Sequence, residues 1–409
     1  MKYYSSLFFF LFLFNISYGK NHKSAYVLLI SFDGFRADYI DKYYTPNFDR
    51  FINNGVTTIG MKPVFVTKTF PNHYSIATGM YVENHGLIGN EFYDPILEES
   101  FSLSDRSKVE DPKFYGGEPI WVTAEKQGIK TASFFWVGSE APINGVYPNR
   151  WKRYDHDFPF ESRVDSVAFW FSLPSGQRPQ LCLLYFHEPD ETGHNFGPES
   201  PETEEMVESM DSIFGIILNK MSNLDIYPEL NIIVLSDHGM ADISFEQTIS
   251  LSDYIDMETM VQEGSGPYAM LYSYEGVNIE KIVGVLKKVN NISVFPKKEI
   301  PDRFHFKNHY RIKDVLVLAD EGWYINKQTV GSSDTTSAFI PKGGTHGYDN
   351  SLMSMRTLFA AAGPNFHKGI LAEPFENIHI YPMIAHILNI KPNPNINGDF
   401  SKIAHLIKQ

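Results

Sequence analysis

Cysteine is almost absent: Cys182 is the single one in 409 residues. No intrachain disulfide can form, and its place inside the apolar run 181-LCLLYF-186 reads as a buried, inert thiol. Glycosylation signals are equally scarce. Beyond the first twenty residues, Asn291-Ile292-Ser293 is the one N-x-S/T sequon. Few cysteines and few sequons suit a bacterial periplasm better than a eukaryotic surface. Long apolar runs are missing after the N-terminus, which excludes a transmembrane anchor built from about 18 consecutive apolar residues. The end, 400-FSKIAHLIKQ-409, is too polar for a lipid-anchor signal. Positive charge is in deficit, with 35 Lys and Arg against 49 Asp and Glu and a formal net charge of −14. That argues against a nucleic-acid polymer as partner. A small phosphorylated substrate stays open, because a local positive site, a metal included, can overcome an acidic average. Repeats and low-complexity blocks are absent too.

What is present starts with a leader. Lys2 precedes the apolar run 7-LFFFLFLF-14, and Ser17 and Gly19 are the small residues a signal peptidase needs before a cut after Gly19. The expectation is a signal peptide over 1–19, a secreted or periplasmic protein, and a single domain over 20–409. The rest, 43% hydrophobic and 21% charged, is ordinary globular composition, long enough to bury a large core. Apolar β-like runs alternate with helical stretches. The run 26-YVLLISF-32 reads as a strand buried on both faces. So do 131-TASFFW-136, 181-LCLLYF-186 and 231-NIIVLS-236. Helices are predicted over 46–55, with Pro at the start and Gly at the end, over 201–224 and over 376–390. In 201–224, Met206, Met210, Ile213, Ile217 and Met221 form a helical stripe that reads as core packing. The stretch 63-PVFVTKTFPNHYSIATG-79 reads as a strand running into a helix, with Thr69 at the corner. This alternation predicts an α/β fold, a sheet sandwiched by helices. Ligands of such sheets gather beyond the carboxyl ends of the strands.

The chemically suggestive residues fall there. Asp33 ends the first run; Asp190 and His194 follow the 181–186 run; Asp237 and His238 follow 231–236; His346 lies in the glycine-rich 343-GGTHGYDN-350. Singly, each has a bland reading: a turn aspartate, a local i,i+4 pair, a tight turn, a surface histidine. Together they are the mixed Asp/His donors expected of zinc or a similar divalent ion. Six such ligands exceed one tetrahedral ion and suit two. Paired ions about 3.5–4 Å apart suit phosphoryl transfer. Thr69 would then be a nucleophile activated by a metal, the rival reading being a helix cap. A helix starting just after it would offer backbone N–H groups to phosphate oxygens.

The motifs SFDGFRADY, TPNFDRFINNGV, TKTFPNHYSIATG, EPIWVTA, EPDETGHNFGP, SDHGM and THGYDN resemble the nucleotide pyrophosphatase/phosphodiesterases of the alkaline phosphatase superfamily, in the family's order from about Tyr26 to Asn397. The chain looks like a compact, catalytic-domain-only member; the lone Cys182 departs from the disulfide-bearing animal members. The resemblance implies an alkaline phosphatase-like mixed, mostly parallel sheet; the segment from about 265 to 340, with its acidic 319-ADEGW-323, is expected to be a small insertion or cap beside the pocket. The resemblance implies two zinc ions per chain, one held by Asp190, His194 and His346 and the other by Asp33, Asp237, His238 and Thr69. It implies attack by Thr69 on phosphorus, a covalent nucleotidyl-threonine and release of a nucleoside 5′-monophosphate. Asn90 matches the amide that hydrogen-bonds a phosphate oxygen, a donor worth about 3 kcal/mol by analogy with other oxyanion sites. Its bland alternative is a turn asparagine.

The same resemblance points to a small-molecule nucleotide substrate, with the base between Phe70 and Tyr154. Trp136 and Glu140 match other pocket positions, Glu standing where Asp is usual, and Leu103 and Lys108 border the pocket. The nearest alternatives keep the metals and Thr69 but change the substrate. A phosphomonoester would call for an extra cation, and no dedicated arginine stands out. A phospholipid or choline-phosphate diester would call for an aromatic or acidic cage. A non-catalytic binding scaffold is disfavoured because all six ligands, Thr69 and Asn90 are in place. A phosphoglycerate-mutase-like intracellular enzyme is disfavoured by the leader.

Overall fold

The structure is a computed structural model that describes residues 25–274, 276–326 and 342–408. The predicted leader, and residues 275 and 327–340 of the 265–340 region, lie outside the described residues. The apolar runs build one sheet. Its strands are Tyr26–Phe32 (β1), Val56–Thr58 (β2), Thr131–Phe134 (β3), Arg150–Lys152 (β4), Leu181–Phe186 (β5), Leu230–Leu235 (β6), Phe359–Ala362 (β7) and Ile370–Ala372 (β8). They lie in the order β8-β2-β7-β6-β1-β5-β3-β4. β1 pairs in parallel with both β5 and β6, Val27 lying opposite Leu181 and Asn231. β7 runs against its neighbours β6 and β2; the other pairings are parallel.

The sheet is buried on both faces, and the two-residue period of its strands divides its side chains between two cores. Val27, Leu29, Leu181, Leu183, Ile233 and Leu235 face one core. Leu28, Ile30, Cys182, Leu184, Ile232 and Val234 face the other. Helices Thr69–Thr78, Ile120–Lys126 and Ile380–Ile387 cover the first face. Helices Pro46–Asn53, Phe160–Ser172 and Pro201–Ser222 cover the second. In the last of these, Met210, Ile213, Ile217 and Met221 are buried as the stripe requires, and Ser200 caps the start by accepting from Thr203 N–H. Cys182 is a free, buried thiol whose pKa burial pushes up.

The stretch around Thr69 departs from its predicted form. Residues 63–68 make no strand, and the helix begins at Thr69 itself, with Lys68 as the N-cap. Asn72 explains this. Its Oδ1 accepts from Val64 N–H and its Nδ2 donates to Val66 and Lys68 carbonyls. The segment folds back over the first turn of its own helix, so its backbone groups bond a side chain instead of a neighbouring strand.

A second, antiparallel sheet joins Met260–Glu263, Tyr268–Ser273, Val315–Ala319 and Ile292–Pro296, in that order. Its two faces also alternate. Tyr268, Met270, Leu316 and Leu318 pack into the core of the main sheet. Ala269, Leu271, Val315 and Val317 pack into a third core with Val283 and Leu286 of helix Ile279–Leu286. Among the described residues, no helix is long and apolar enough to cross a membrane.

Candidate active site

Three adjacent parallel strands, β6, β1 and β5, deliver acids to one end of the sheet. Asp33 follows β1, Asp237 and His238 follow β6, and Asp190 opens the short helix Asp190–Phe196 after β5. On that helix His194 comes four residues after Asp190, on the same face. His346 follows the short strand Gly344–Thr345. The six residues form two trios, Asp190/His194/His346 and Asp33/Asp237/His238, each with its ligand atoms within 4.8 Å of one another. Thr69 Oγ1 stands 3.1 Å from His238 Nε2.

The hydrogen bonds decide what these atoms can do. His194 Nδ1 lies 2.8 Å from the Gly344 carbonyl, His346 Nδ1 2.8 Å from the Thr67 carbonyl and His238 Nδ1 3.0 Å from the Gly239 carbonyl. A carbonyl only accepts, so each neutral ring carries its proton on Nδ1 and presents a bare Nε2 to the centre. The aspartates are half-satisfied. Asp33 Oδ2 accepts from the Tyr185 hydroxyl at 2.6 Å, while Asp33 Oδ1, Asp190 Oδ1 and Asp237 Oδ2 are buried without a hydrogen-bond partner. Leaving such oxygens unpaired is costly.

In the bare protein this is an electrostatic conflict. Burial, then the charges of Asp237 and Asp190, hold the Asp33 pKa well above the carboxylate range. Burial and Asp190 push Asp237 up to about 8, and burial raises Asp190. Burial drives His238 and His346 well below the ordinary histidine value. A divalent cation answers every part of this: it pairs the orphan oxygens, uses the bare nitrogens and favours the ionised acids. The residues fit a metal. The donors are imidazole and carboxylate with no thiolate, a set suited to zinc and neighbouring transition ions.

A cavity of about 440 Å³ opens over the trios, walled among others by Thr69, Phe70, Asn90, Asp190 and Tyr154. Asn90 Oδ1 accepts from Phe70 N–H at 3.0 Å, which fixes the amide; among the described residues its NH₂ has no protein acceptor. Tyr154 packs against Tyr185, with ring centroids 6.3 Å apart. Glu140 also lines the cavity, but its carboxylate is taken by Arg106 and by Tyr154 N–H.

Two expected wall residues lie elsewhere. Trp136 is fully buried beneath the cavity, its indole N–H donating to the His73 carbonyl at 3.1 Å; it supports the helix of Thr69 and reaches no wall. Lys108 turns away to Glu99, and Arg106, two residues earlier, takes the wall beside Leu103. Among the described residues, none of the second sheet lines the cavity.

Sequence reasoning also passed over His73 and Tyr185. His73 is fully buried, its Nε2 2.8 Å from Ser31 Oγ and its Nδ1 3.0 Å from the Thr69 carbonyl, and so it ties β1 to the first turn of the helix. Its spacing of four from Thr69 was the available signal.

Comparison with known proteins gives the family and the fold. The venom phosphodiesterase CdcPDE of Crotalus durissus collilineatus is 38% identical over 392 residues, which is 93% of this chain and 46% of that protein. The chain thus spans under half the length of the venom enzyme. Human ectonucleotide pyrophosphatase/phosphodiesterase family member 5 is 36% identical over 382 residues, 93% of this chain and 78% of that protein. The solved murine ectonucleotide pyrophosphatase/phosphodiesterase 5 superposes with a TM-score of 0.87 at 36% identity, over 94% of this chain and 100% of that one. An inactive threonine-to-alanine form of the murine protein, in complex with AMP, gives a TM-score of 0.87 at 35% identity, again over 94% of this chain and 100% of that one. The mixed, mostly parallel sheet and its flanking helices are shared with these structures. With a family model matching residues 27–349, the chain belongs to the type I phosphodiesterase / nucleotide pyrophosphatase family.

Proposed function

We propose that the chain is a divalent-metal hydrolase that cleaves nucleotide phosphodiester or pyrophosphate bonds and releases a nucleoside 5′-monophosphate. The observation that carries the reading is the convergence of three orphan aspartate oxygens and three bare imidazole nitrogens beside the Thr69 hydroxyl. Asp190, His194 and His346 would hold one zinc, and Asp33, Asp237, His238 and Thr69 the other. When bound, the two ions supply Lewis acidity, lowering the proton affinity of a ligated oxygen and offsetting charge on the phosphoryl group.

The chain's own residues do the rest. Thr69 Oγ1 attacks phosphorus and displaces the leaving group, forming a nucleotidyl-threonine. Water then breaks the new P–O bond, restores the hydroxyl and frees the monophosphate. Thr69 opens helix Thr69–Thr78, so the positive end of the helix dipole and the Thr69 N–H serve the phosphate; the Phe70 N–H is held by Asn90, Pro71 has none and the Asn72 N–H bonds the Lys68 carbonyl. The Asn90 NH₂ is preorganised as a further donor by the bond its Oδ1 accepts. Phe70 and Tyr154 offer flat faces to the base. The AMP bound to the murine threonine variant supports both the nucleotide class and the place of the threonine. The sequence leader supports export. The shared core of the two sheets supports residues 20–409 acting as one catalytic domain.

The test is a panel on zinc-loaded protein: p-nitrophenyl-thymidine 5′-monophosphate, p-nitrophenyl phosphate and p-nitrophenylphosphorylcholine, each with Thr69→Ala as control. The nucleotide diester is expected to be cleaved fastest. Preference for either other ester would keep Thr69 and the metals and overturn the base clamp of Phe70 and Tyr154.

A further inference from the structure

On the rim of the cavity stands a third cluster of metal-binding residue types. His156, His187 and Glu191 place one ligand atom each within 4.8 Å of one another. Their hydrogen bonds suit a different task. Arg163 Nη2 donates to His187 Nδ1 at 3.4 Å. A guanidinium has no acceptor, so neutral His187 carries its proton on Nε2. Burial, then the charge of Arg163, push the His187 pKa down to about 3, which keeps the ring neutral. That Nε2 faces Glu191 Oε2 at 3.8 Å. His156 stacks on His187, centroids 4.1 Å apart, and its Nε2 stands 3.2 Å from the same Oε2. In the tautomer whose Nε2–H meets the carboxylate, His156 Nδ1 accepts from the Tyr154 hydroxyl, 3.2 Å away.

His156 therefore directs its N–H at the carboxylate oxygen from 3.2 Å, while the protonated Nε2 of His187, at 3.8 Å, adds a longer-range contact and offers a cation no lone pair. Glu191 Oε2 is anchored, and no protein donor reaches Oε1 among the described residues. The place of this anchored carboxylate is specific. Glu191 adjoins Asp190 of one deep trio, and through His156 it is linked to Tyr154 of the aromatic wall; all four line the same cavity. A nucleotide with its base on Tyr154 and its phosphate at Thr69 has its ribose in the interval between them.

We infer that Glu191 Oε1 accepts hydrogen bonds from the ribose hydroxyls and that the protein therefore prefers ribonucleotides to deoxyribonucleotides. The inference rests on the nucleotide reading above. A hydroxyl donating to a charged acceptor in a partly enclosed site changes affinity by about tenfold or more. Glu191, His156 and Tyr154 act together: the tyrosine orients the imidazole, and the imidazole orients the carboxylate.

The experiment compares kcat/KM for ATP, 2′-deoxy-ATP and 3′-deoxy-ATP in the zinc-loaded wild type, Glu191→Ala and His156→Ala, with metal content measured on each protein. The ratio is internal to each variant, so a general loss of activity cancels. The wild type is expected to favour ATP over at least one deoxy substrate by about tenfold. The ratio should fall to near one in Glu191→Ala and part of the way in His156→Ala. A wild-type ratio near one, with nucleotides turned over well, overturns the ribose assignment alone. Turnover of bis(p-nitrophenyl) phosphate with no turnover of any nucleotide overturns the substrate reading and this inference together. Loss of one divalent ion per chain in Glu191→Ala, with an unchanged ratio, overturns it in favour of a third cation site.

Discussion

Histidines and carboxylates meet twice around this cavity, in the deep trios and on the rim, and the two meetings differ in which imidazole nitrogen holds the proton. Deep in the site, backbone carbonyls of Gly344, Thr67 and Gly239 take the Nδ1 protons, so every Nε2 is bare, and each aspartate keeps one oxygen unpaired. On the rim, Arg163 donates into His187 Nδ1 and the Tyr154 hydroxyl pairs with His156 Nδ1, so the Nε2 protons are left to point outward, that of His156 to Glu191 Oε2 at 3.2 Å. The residue types are alike. The partner of the second nitrogen decides whether the first is a metal ligand or a hydrogen-bond donor. Burial sharpens the contrast: the unpaired oxygens of the deep acids are buried, whereas Glu191 and His156 are about half exposed.

The largest expected effect separates the nucleophile from the ligands around it. Thr69→Ala should lower kcat by roughly 10⁴- to 10⁶-fold, as removal of a covalent nucleophile or its partners does elsewhere. It should leave most of the bound metal in place, because the two Asp/His trios remain. Turnover near the wild-type level in that variant would refute the covalent mechanism. Metal content, measured on the same sample, shows whether the deep trios bind without the hydroxyl.

The strands that set up the deep side of this contrast were legible in the sequence, and the contrast itself was not. The runs 26–32 and 181–186 became strands at those limits, and the acids following them became neighbours because parallel strands end together. Tautomers were not legible, since they depend on which carbonyl or guanidinium folding brings to Nδ1. The 63–68 segment failed as a strand because Asn72, four to eight residues on, captures its backbone with a side-chain amide, a choice that β propensity does not encode. Trp136 was misplaced for a similar reason: near a site in sequence, it faces the core, and Lys108 lost its place to Arg106 by a shift of two residues in a short helix. His187 carries no signal on its own; its meaning comes from Arg163, 24 positions away.

Removing the ions should expose the conflict in the deep trios. Asp237, near 8 in the bare protein against an ordinary 3.8, binds a proton in the native state that the unfolded chain has released. Between about pH 4 and 8 the native state thus holds more protons, and the stability of the chelated protein falls as pH rises through that window. Added zinc should raise Tm, by the equivalent of about 4 kcal/mol per site at a thousandfold excess over Kd. That gain should widen from about pH 5 to about pH 8. A gain that is flat with pH, followed by scanning calorimetry, would contradict the orphan-carboxylate account. His156→Ala should leave the trend as it is, since the rim takes no part in it.

Asn90→Ala tests the donor between the two regions. Loss of one preorganised donor to a developing oxyanion costs about 10²- to 10³-fold in kcat. KM should change little, because the bond strengthens in the transition state. A rise in KM with kcat intact would make Asn90 a substrate-positioning group instead.

The smallest effect lies on the rim and separates a ring from its hydroxyl. Tyr154→Phe keeps the flat face against the base and removes only the donor to His156 Nδ1. With that bond gone, the His156 ring can turn or change tautomer, and its N–H no longer has a fixed hold on Glu191 Oε2. One neutral hydrogen bond near the surface is worth about 1 kcal/mol, so the ATP to 2′-deoxy-ATP ratio should fall by about threefold to fivefold. The kcat for p-nitrophenyl-thymidine 5′-monophosphate, which has no 2′-hydroxyl, should stay close to wild type. If both numbers fall in step, Tyr154 acts through the base alone and the rim is uncoupled from it. If only the ribose ratio moves, the effect has travelled through His156, and the proton pattern of the rim is the part of the molecule that reads the sugar.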